Sequence, residues 1–220
     1  MKITDLEILR MKAHTESHNN WLFVRIHTDS GISGIGEGSL QYKDAALAAE
    51  LEAFGSFLRG KDPFQIEDIW TSLHRRVTWT GGAVTISAIS AIDLALWDIK
   101  GKALGVPVYE LVGGKVRDQV PLYANGWLSD SRPDTKKRRE QAGSEEEWYA
   151  ERAREVVDQG YRCLKVYPFG GPQVVTPERL ARGIGLVRTI REAVGADIDV
   201  AVDLRRRLNL WSARRGALKL

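Results

Sequence analysis

The run YRCLKVYPFGGPQVVTPERLARGIGLVRTIREAVGADIDVAVDL, residues 161–204, carries the fold. YRCLKVYPF (161–169) and DIDVAVDL (197–204) read as strands, and an apolar core such as VAV suits a parallel sheet covered on both faces. Between them Thr176 and Pro177 open a helix. Its Leu180, Ile184, Val187, Ile190 and Val194 form one face, and Gly195 closes it. Strand, helix and strand in this order make a right-handed βαβ unit. The unit brings Lys165 and Asp203 to the same end of neighbouring parallel strands.

The same rhythm extends upstream. VPLYANGW (120–127) reads as a short buried strand, and Ser144 with Glu147 forms a capping-box pattern. That box opens a helix through Val157 that Gly160 ends. Downstream, NLWSARRGALKL starts a third helix. Two architectures use repeated βα units, the open doubly wound sheet and the closed eight-stranded barrel. The barrel needs about 200 residues or more. Only about half of that follows Gly114, so a barrel here is expected to be incomplete, with about three βα units and a chain truncated within it. The polar segment 129–147, with Lys136-Lys137-Arg138-Arg139 at its centre, reads as an exposed insertion in the first βα connection.

The N-terminal half has a different pattern. Residues 3–13, WLFVRIHTDSG and GISGIGEGSL read as a β-meander, followed by a helix bearing Leu47, Leu51, Phe54 and Leu58 and ended by Gly60. A second helix is expected over 63–76. From Ala83 to Leu104 apolar residues occur on every side, which predicts a helix buried all round. Gly105 and Pro107 stop it. The fold expected is an α+β capping domain over 1–115, followed by a partial α/β barrel over 116–220.

Composition excludes several classes. A hydrophobic content of 43% and a charged content of 28% fit an ordinary soluble protein, and a net charge of +3 implies neither a nucleic-acid nor a membrane partner. No stretch approaches the ~18 apolar residues of a membrane helix. Cys163 is the single cysteine, and the N-terminus lacks a signal-peptide pattern, so a reducing cytoplasmic setting is expected.

Candidate chemistry is sparse. Gly34, Gly36 and Gly38 in GIGEG do not make GxGxxG, so a glycine-rich strand or turn is the better reading than a phosphate loop. HTESHNN (14–20) joins the first two strands; it is a polar loop that closes over a substrate more readily than it binds metal through His14, Glu16 and His18. Asp93 and Asp98 suit structural pairing, Asp98 with Lys102 four residues on. Lys165 and Tyr167, two apart on a strand, share a face. A lysine among Leu, Val and Cys is costly unless paired or functional, and partial burial with nearby cations would lower its pKa into the range of a base. Asp203, at a strand end, is either a magnesium ligand or a helix cap. Arg205-Arg206-Arg207 is a solvated face or, less readily, a phosphate or nucleic-acid contact.

The run ISAIDLALWDIKGKALGVPVYELVGG (89–114) resembles the domain-junction segment of the enolase superfamily, in its mandelate racemase and muconate lactonizing enzyme branch. GIGEG and DPFQIEDIW (62–70) are similar to that branch's capping domain, and LKVYPF with residues 176–203 to its second and third barrel strands. Within the branch the chain looks most like acid-sugar dehydratases of the galactonate and mannonate type.

That resemblance implies Mg²⁺-dependent removal of a proton α to a sugar-acid carboxylate, then loss of a β-hydroxyl as water. It assigns catalytic roles to Lys165 and Tyr167, metal binding to Asp203, and substrate binding to His18 and Asn125. It also implies a homo-oligomer for the full-length family. Two further acidic metal ligands belong on strands beyond Asp203. Where relatives often read D-x-H-G-R, this chain has Asp203-Leu204-Arg205-Arg206-Arg207. The expectation is a dehydratase by descent with little or no activity alone. A non-catalytic remnant, a subunit completed by a partner chain, and racemase or cycloisomerase chemistry stay open.

Overall fold

A three-stranded antiparallel meander begins the chain: β1 (Ile3–Lys12), β2 (Asn20–Thr28) and β3 (Ser33–Glu37), in that order across the sheet. The computed structural model describes residues 1–12, 20–76, 80–129, 133–169, 176–204 and 208–220. His18, with the rest of the first connecting loop, and Arg205-Arg206-Arg207 lie outside the described residues. The chain divides into two compact units, Met1–Asp118 and Gln119–Leu220.

In the first unit the meander is followed by α1 (Asp44–Leu58), α2 (Ile66–Arg75), α3 (Ala83–Leu104) and the short α4 (Val108–Leu111). Leu22, Val24 and Ile26 alternate along β2 and are fully buried, as a sheet with one covered face requires. They meet Leu47, Leu51, Ile69, Leu73, Ile92 and Leu96 in one core. The glycines of GIGEG are there for close packing. A Cβ on Gly34 would stand 2.0 Å from the Ala95 carbonyl oxygen, and one on Gly36 2.0 Å from that of Ala91. β3 therefore lies with its backbone directly on α3. Asp98 completes the contact by accepting from Ile35 N at 2.9 Å and pairing with Lys102 at 2.7 Å. Burial pushes the Asp93 carboxyl up, Glu67 adds a like charge, and a Trp97 hydrogen bond opposes both.

The expectation that α3 is buried all round is not met. Ile86, Leu94 and Leu104 are exposed. The sheet, α1 and α2 pack on its other positions, and Leu94 lines an open apolar groove of about 580 Å³ with Phe23, Ile35, Trp97, Val108 and Val112.

The second unit contains α5 (Pro133–Gln141), α6 (Glu145–Asp158), β4 (Cys163–Val166), α7 (Pro177–Val194), β5 (Asp199–Val202) and α8 (Leu210–Ala217). β4 and β5 are parallel, with Lys165 opposite Ala201. The Ser144 and Thr176 side chains cap α6 and α7, accepting from Glu147 N at 3.1 Å and Arg179 N at 3.4 Å. Leu164, Val166, Ala153, Val156, Ile190 and Ile198 fill the space between sheet and helices.

Two expectations for this unit are corrected. VPLYANGW is not a buried strand: it forms a single parallel bridge, Ala124 to Leu164, and Val120 and Leu122 are exposed. Pro121 has no N–H to offer a ladder, and Gly126 turns the chain with φ of 69°. The segment 129–147 is not merely an exposed insertion, because it contains α5. Arg138 of that helix pairs with Glu151 at 2.7 Å and with Glu155, both on α6. Among the described residues no helix is long and apolar enough to cross a membrane.

Candidate active site

The C-terminal ends of the parallel strands collect the polar side chains singled out in the sequence. Lys165 lies within β4, Tyr167 directly follows it, Asp203 directly follows β5, and Asn125 follows the bridging residue Ala124. Backbone bonds hold this register: Lys165 N donates to Ala124 O at 2.9 Å, and Asp203 N to Val166 O at 2.9 Å.

The Lys165 ammonium stands 3.5 Å from an Asp203 carboxylate oxygen. It also lies between two phenol rings, 5.1 Å from the Tyr123 centroid and 5.2 Å from that of Tyr167, and donates to the Tyr123 hydroxyl at 3.4 Å. Tyr167 donates its own hydroxyl proton to Asn125 Oδ1 at 3.2 Å. Four of the five predicted site residues thus meet at one end of the sheet, and the fifth, His18, lies outside the described residues.

The electrostatics reverse one expectation. Hydrogen bonding to the Tyr167 hydroxyl, with a further contribution from Tyr123, raises the Lys165 pKa above the ordinary 10.5 and outweighs the opposing cost of desolvation. The lowered pKa expected of a base needed nearby cations. Among the described residues, the groups that face this ammonium are instead phenol oxygens, aromatic faces and a carboxylate. At neutral pH Lys165 is an ammonium: it can anchor an anion, but it has no lone pair with which to accept a proton.

Sequence reasoning passed over Tyr123. Its signal was available, because Tyr123 and Asn125 stand two apart, the same spacing that placed Lys165 and Tyr167 on one face. It passed over Trp127 as well, whose indole N–H donates to the Lys165 carbonyl at 2.8 Å; no local pattern announces that bond.

A magnesium ion takes several oxygen ligands in near-octahedral array. Among the described residues no group of three or more His, Cys, Asp or Glu side chains is placed to hold a metal, and Asp203 is already paired with Lys165. The described residues do not fit a resident Mg²⁺.

A small helix-covered antiparallel domain followed by βα units with polar residues at the strand ends is an enolase-type arrangement. Residues 3–113 match the mandelate racemase/muconate lactonizing enzyme N-terminal domain, and residues 148–220 match the enolase C-terminal domain-like family. The chain belongs to the mandelate racemase/muconate lactonizing enzyme branch of the enolase superfamily. It is 37% identical over 200 residues to a D-galactonate dehydratase of Xanthomonas oryzae pv. oryzae, which covers 88% of this chain and 47% of that relative. The chain thus spans about half the length of this curated relative. A member of the enolase superfamily from Salmonella Typhimurium superposes with a TM-score of 0.86 at 30% identity, covering 99% of this chain and 58% of that one. An enolase from Pantoea ananatis with bound D-gluconate and Mg superposes with a TM-score of 0.78 at 26% identity, covering 98% and 56%.

Proposed function

We propose that this chain carries part of a sugar-acid dehydratase site, the part that binds the substrate carboxylate and exchanges a proton beside it. The observation that supports this reading is the Lys165–Asp203 pair, 3.5 Å apart at the strand ends and bracketed by Tyr123 and Tyr167. In dehydration a proton α to a carboxylate and a hydroxyl from the neighbouring carbon leave together as water. Lys165, held as an ammonium, pairs with the carboxylate, where negative charge builds as the α-proton departs. Tyr167 Oη, a phenol beside it that Asn125 orients by accepting its hydrogen bond, gives its proton to the departing β-hydroxyl, which leaves as water, while the α-proton passes to a base other than these two groups. Asp203 keeps the ammonium in place. It is also the carboxylate this chain would contribute to a Mg²⁺ site whose other ligands come from elsewhere. With the metal cage missing from the described residues, the 220-residue chain alone is proposed to have little or no turnover.

The test is a titration of D-galactonate into the purified chain, with and without Mg²⁺, beside an assay for the keto-deoxy acid product. Saturable binding that is lost in Lys165→Ala, with no product, is the expected result. Binding indifferent to Lys165→Ala overturns the site assignment. Mg²⁺-dependent product overturns the inactivity.

A second reading, a subunit completed by another polypeptide, is favoured by β5. Among the described residues it pairs only with β4, and Leu210 and Trp211 of α8, with Leu218 just after it, are exposed. A stoichiometric hetero-complex by light scattering supports it, and a monodisperse monomer counts against it.

A further inference from the structure

Segment 123–127 supplies Tyr123 and Asn125 to the site, yet one bridging residue, Ala124, is its whole ladder contact with β4. Two side chains outside the site add to that attachment. Trp127, almost fully buried, donates its indole N–H to the Lys165 carbonyl at 2.8 Å. Arg152 of α6 donates to the Trp127 carbonyl twice, from Nε at 3.3 Å and Nη2 at 3.1 Å. The Arg152 guanidinium is in turn fixed, paired with Glu155 on its own helix and stacked at 5.7 Å on the buried Trp148 ring. Glu155 is shared with Arg138 of α5, whose hydrogen bond is the main cause holding that carboxylate below its usual range. The Trp127 carbonyl sits just past Gly126, where the chain turns with φ of 69° beyond its one bridge to β4. A planar guanidinium donating two bonds there is a rigid replacement for a strand partner.

We infer that Trp127 and Arg152 are positioning residues of the site: the Arg152–Trp127–Lys165 series of hydrogen bonds holds segment 123–127 against β4, so that Tyr123 stays over the Lys165 ammonium and Asn125 stays on the Tyr167 hydroxyl. The inference rests on the reading of Lys165 and its neighbours as the functional site. Neither residue touches the reacting groups. They act through the backbone on both sides of the ammonium.

The experiment uses the whole chain labelled with ¹³C/¹⁵N-lysine and follows the Lys165 side-chain signals at neutral pH. Two rings at about 5 Å place those signals upfield of other lysines. Trp127→Phe keeps most of the buried ring and removes the N–H. It is expected to abolish most of the upfield displacement. Arg152→Gln is expected to do the same to a smaller degree, and Arg152→Lys to restore part of it. Trp70→Phe, on α2 of the first unit, leaves the displacement unchanged. Should Trp127→Phe fail to fold, benzothienylalanine at position 127 removes the N–H with the shape conserved. Folded variants whose melting temperatures fall while the Lys165 signals stay put would overturn the inference, leaving a purely structural role. D-galactonate titrated into the unsubstituted chain tests the site reading separately: unmoved Lys165 signals count against substrate binding there and leave the positioning intact.

Discussion

Lys165 draws its proton affinity from neighbours that favour the charged form, the Tyr167 hydroxyl first and Tyr123 after it. Its pKa in the folded chain is raised above the ordinary 10.5, so folding favours the protonated lysine. The resulting stability is fully present below about pH 10.5, the unfolded value, and fades as pH rises through the raised folded value. Lys165→Met removes the contribution. The urea midpoint of the second unit is expected to sit below the parent's by a constant amount from pH 7 to 10 and to converge with it at higher pH. A gap that widens above pH 10.5 contradicts this account. Lys165 and Tyr167 could be paired from sequence because strand periodicity puts residues two apart on one face. The direction of the lysine's pKa could not, since it depends on how the Tyr167 hydroxyl, and after it Tyr123 from the bridging segment, stand against the ammonium once the chain has folded.

Among the elements, α3 and β3 show how backbone contact sets tolerance to a single methyl. On Gly36 a Cβ meets the Ala91 carbonyl at 2.0 Å and the Ala95 nitrogen at 2.9 Å, both backbone atoms inside a long helix that cannot step aside. Gly36→Ala is expected to cost the first unit ~3 kcal/mol, the upper part of the usual range for overpacking. Gly55, inside α1, meets only the Leu6 Cβ at an ordinary 3.6 Å. Gly55→Ala gains helix propensity with no clash and is expected to stabilise by ~0.5–1 kcal/mol. Chemical denaturation of both variants checks the contrast, and equal effects would refute it. Helix ends were legible because they are local: Ser144, Thr176, Gly60 and Gly105 mark them within a few residues. α5 was missed because the partners of Arg138 lie on the next helix, where a reading of local charge does not reach. VPLYANGW was misread because apolar composition was weighed above Pro121 and Gly126, which limit its pairing to one bridge.

At the scale of the whole molecule the two units are unequally finished. The first has three paired strands and a core in which Leu22, Val24, Ile26, Leu51, Ile69 and Leu73 are wholly buried. Among the described residues the second rests on two four-residue parallel strands and one bridge, and its α8 leaves Leu210 83% and Trp211 73% exposed. Parallel pairing of so few residues contributes little by itself, so this sheet depends on α6 and α7 packed against it. Nothing among the described residues pairs with β5 on the side away from β4. Local stability follows buried apolar contact and the number of protected backbone bonds. Amides of β4 and β5 are therefore expected to exchange with solvent hydrogen at least tenfold faster than those of β2 when followed by mass spectrometry at neutral pH. A partner that docks on β5 would slow exchange in β4 and β5 selectively and leave β2 unchanged. Uniform protection of all five strands in the isolated chain would mean that the second unit is stabilised well beyond what its two short strands and their helices provide.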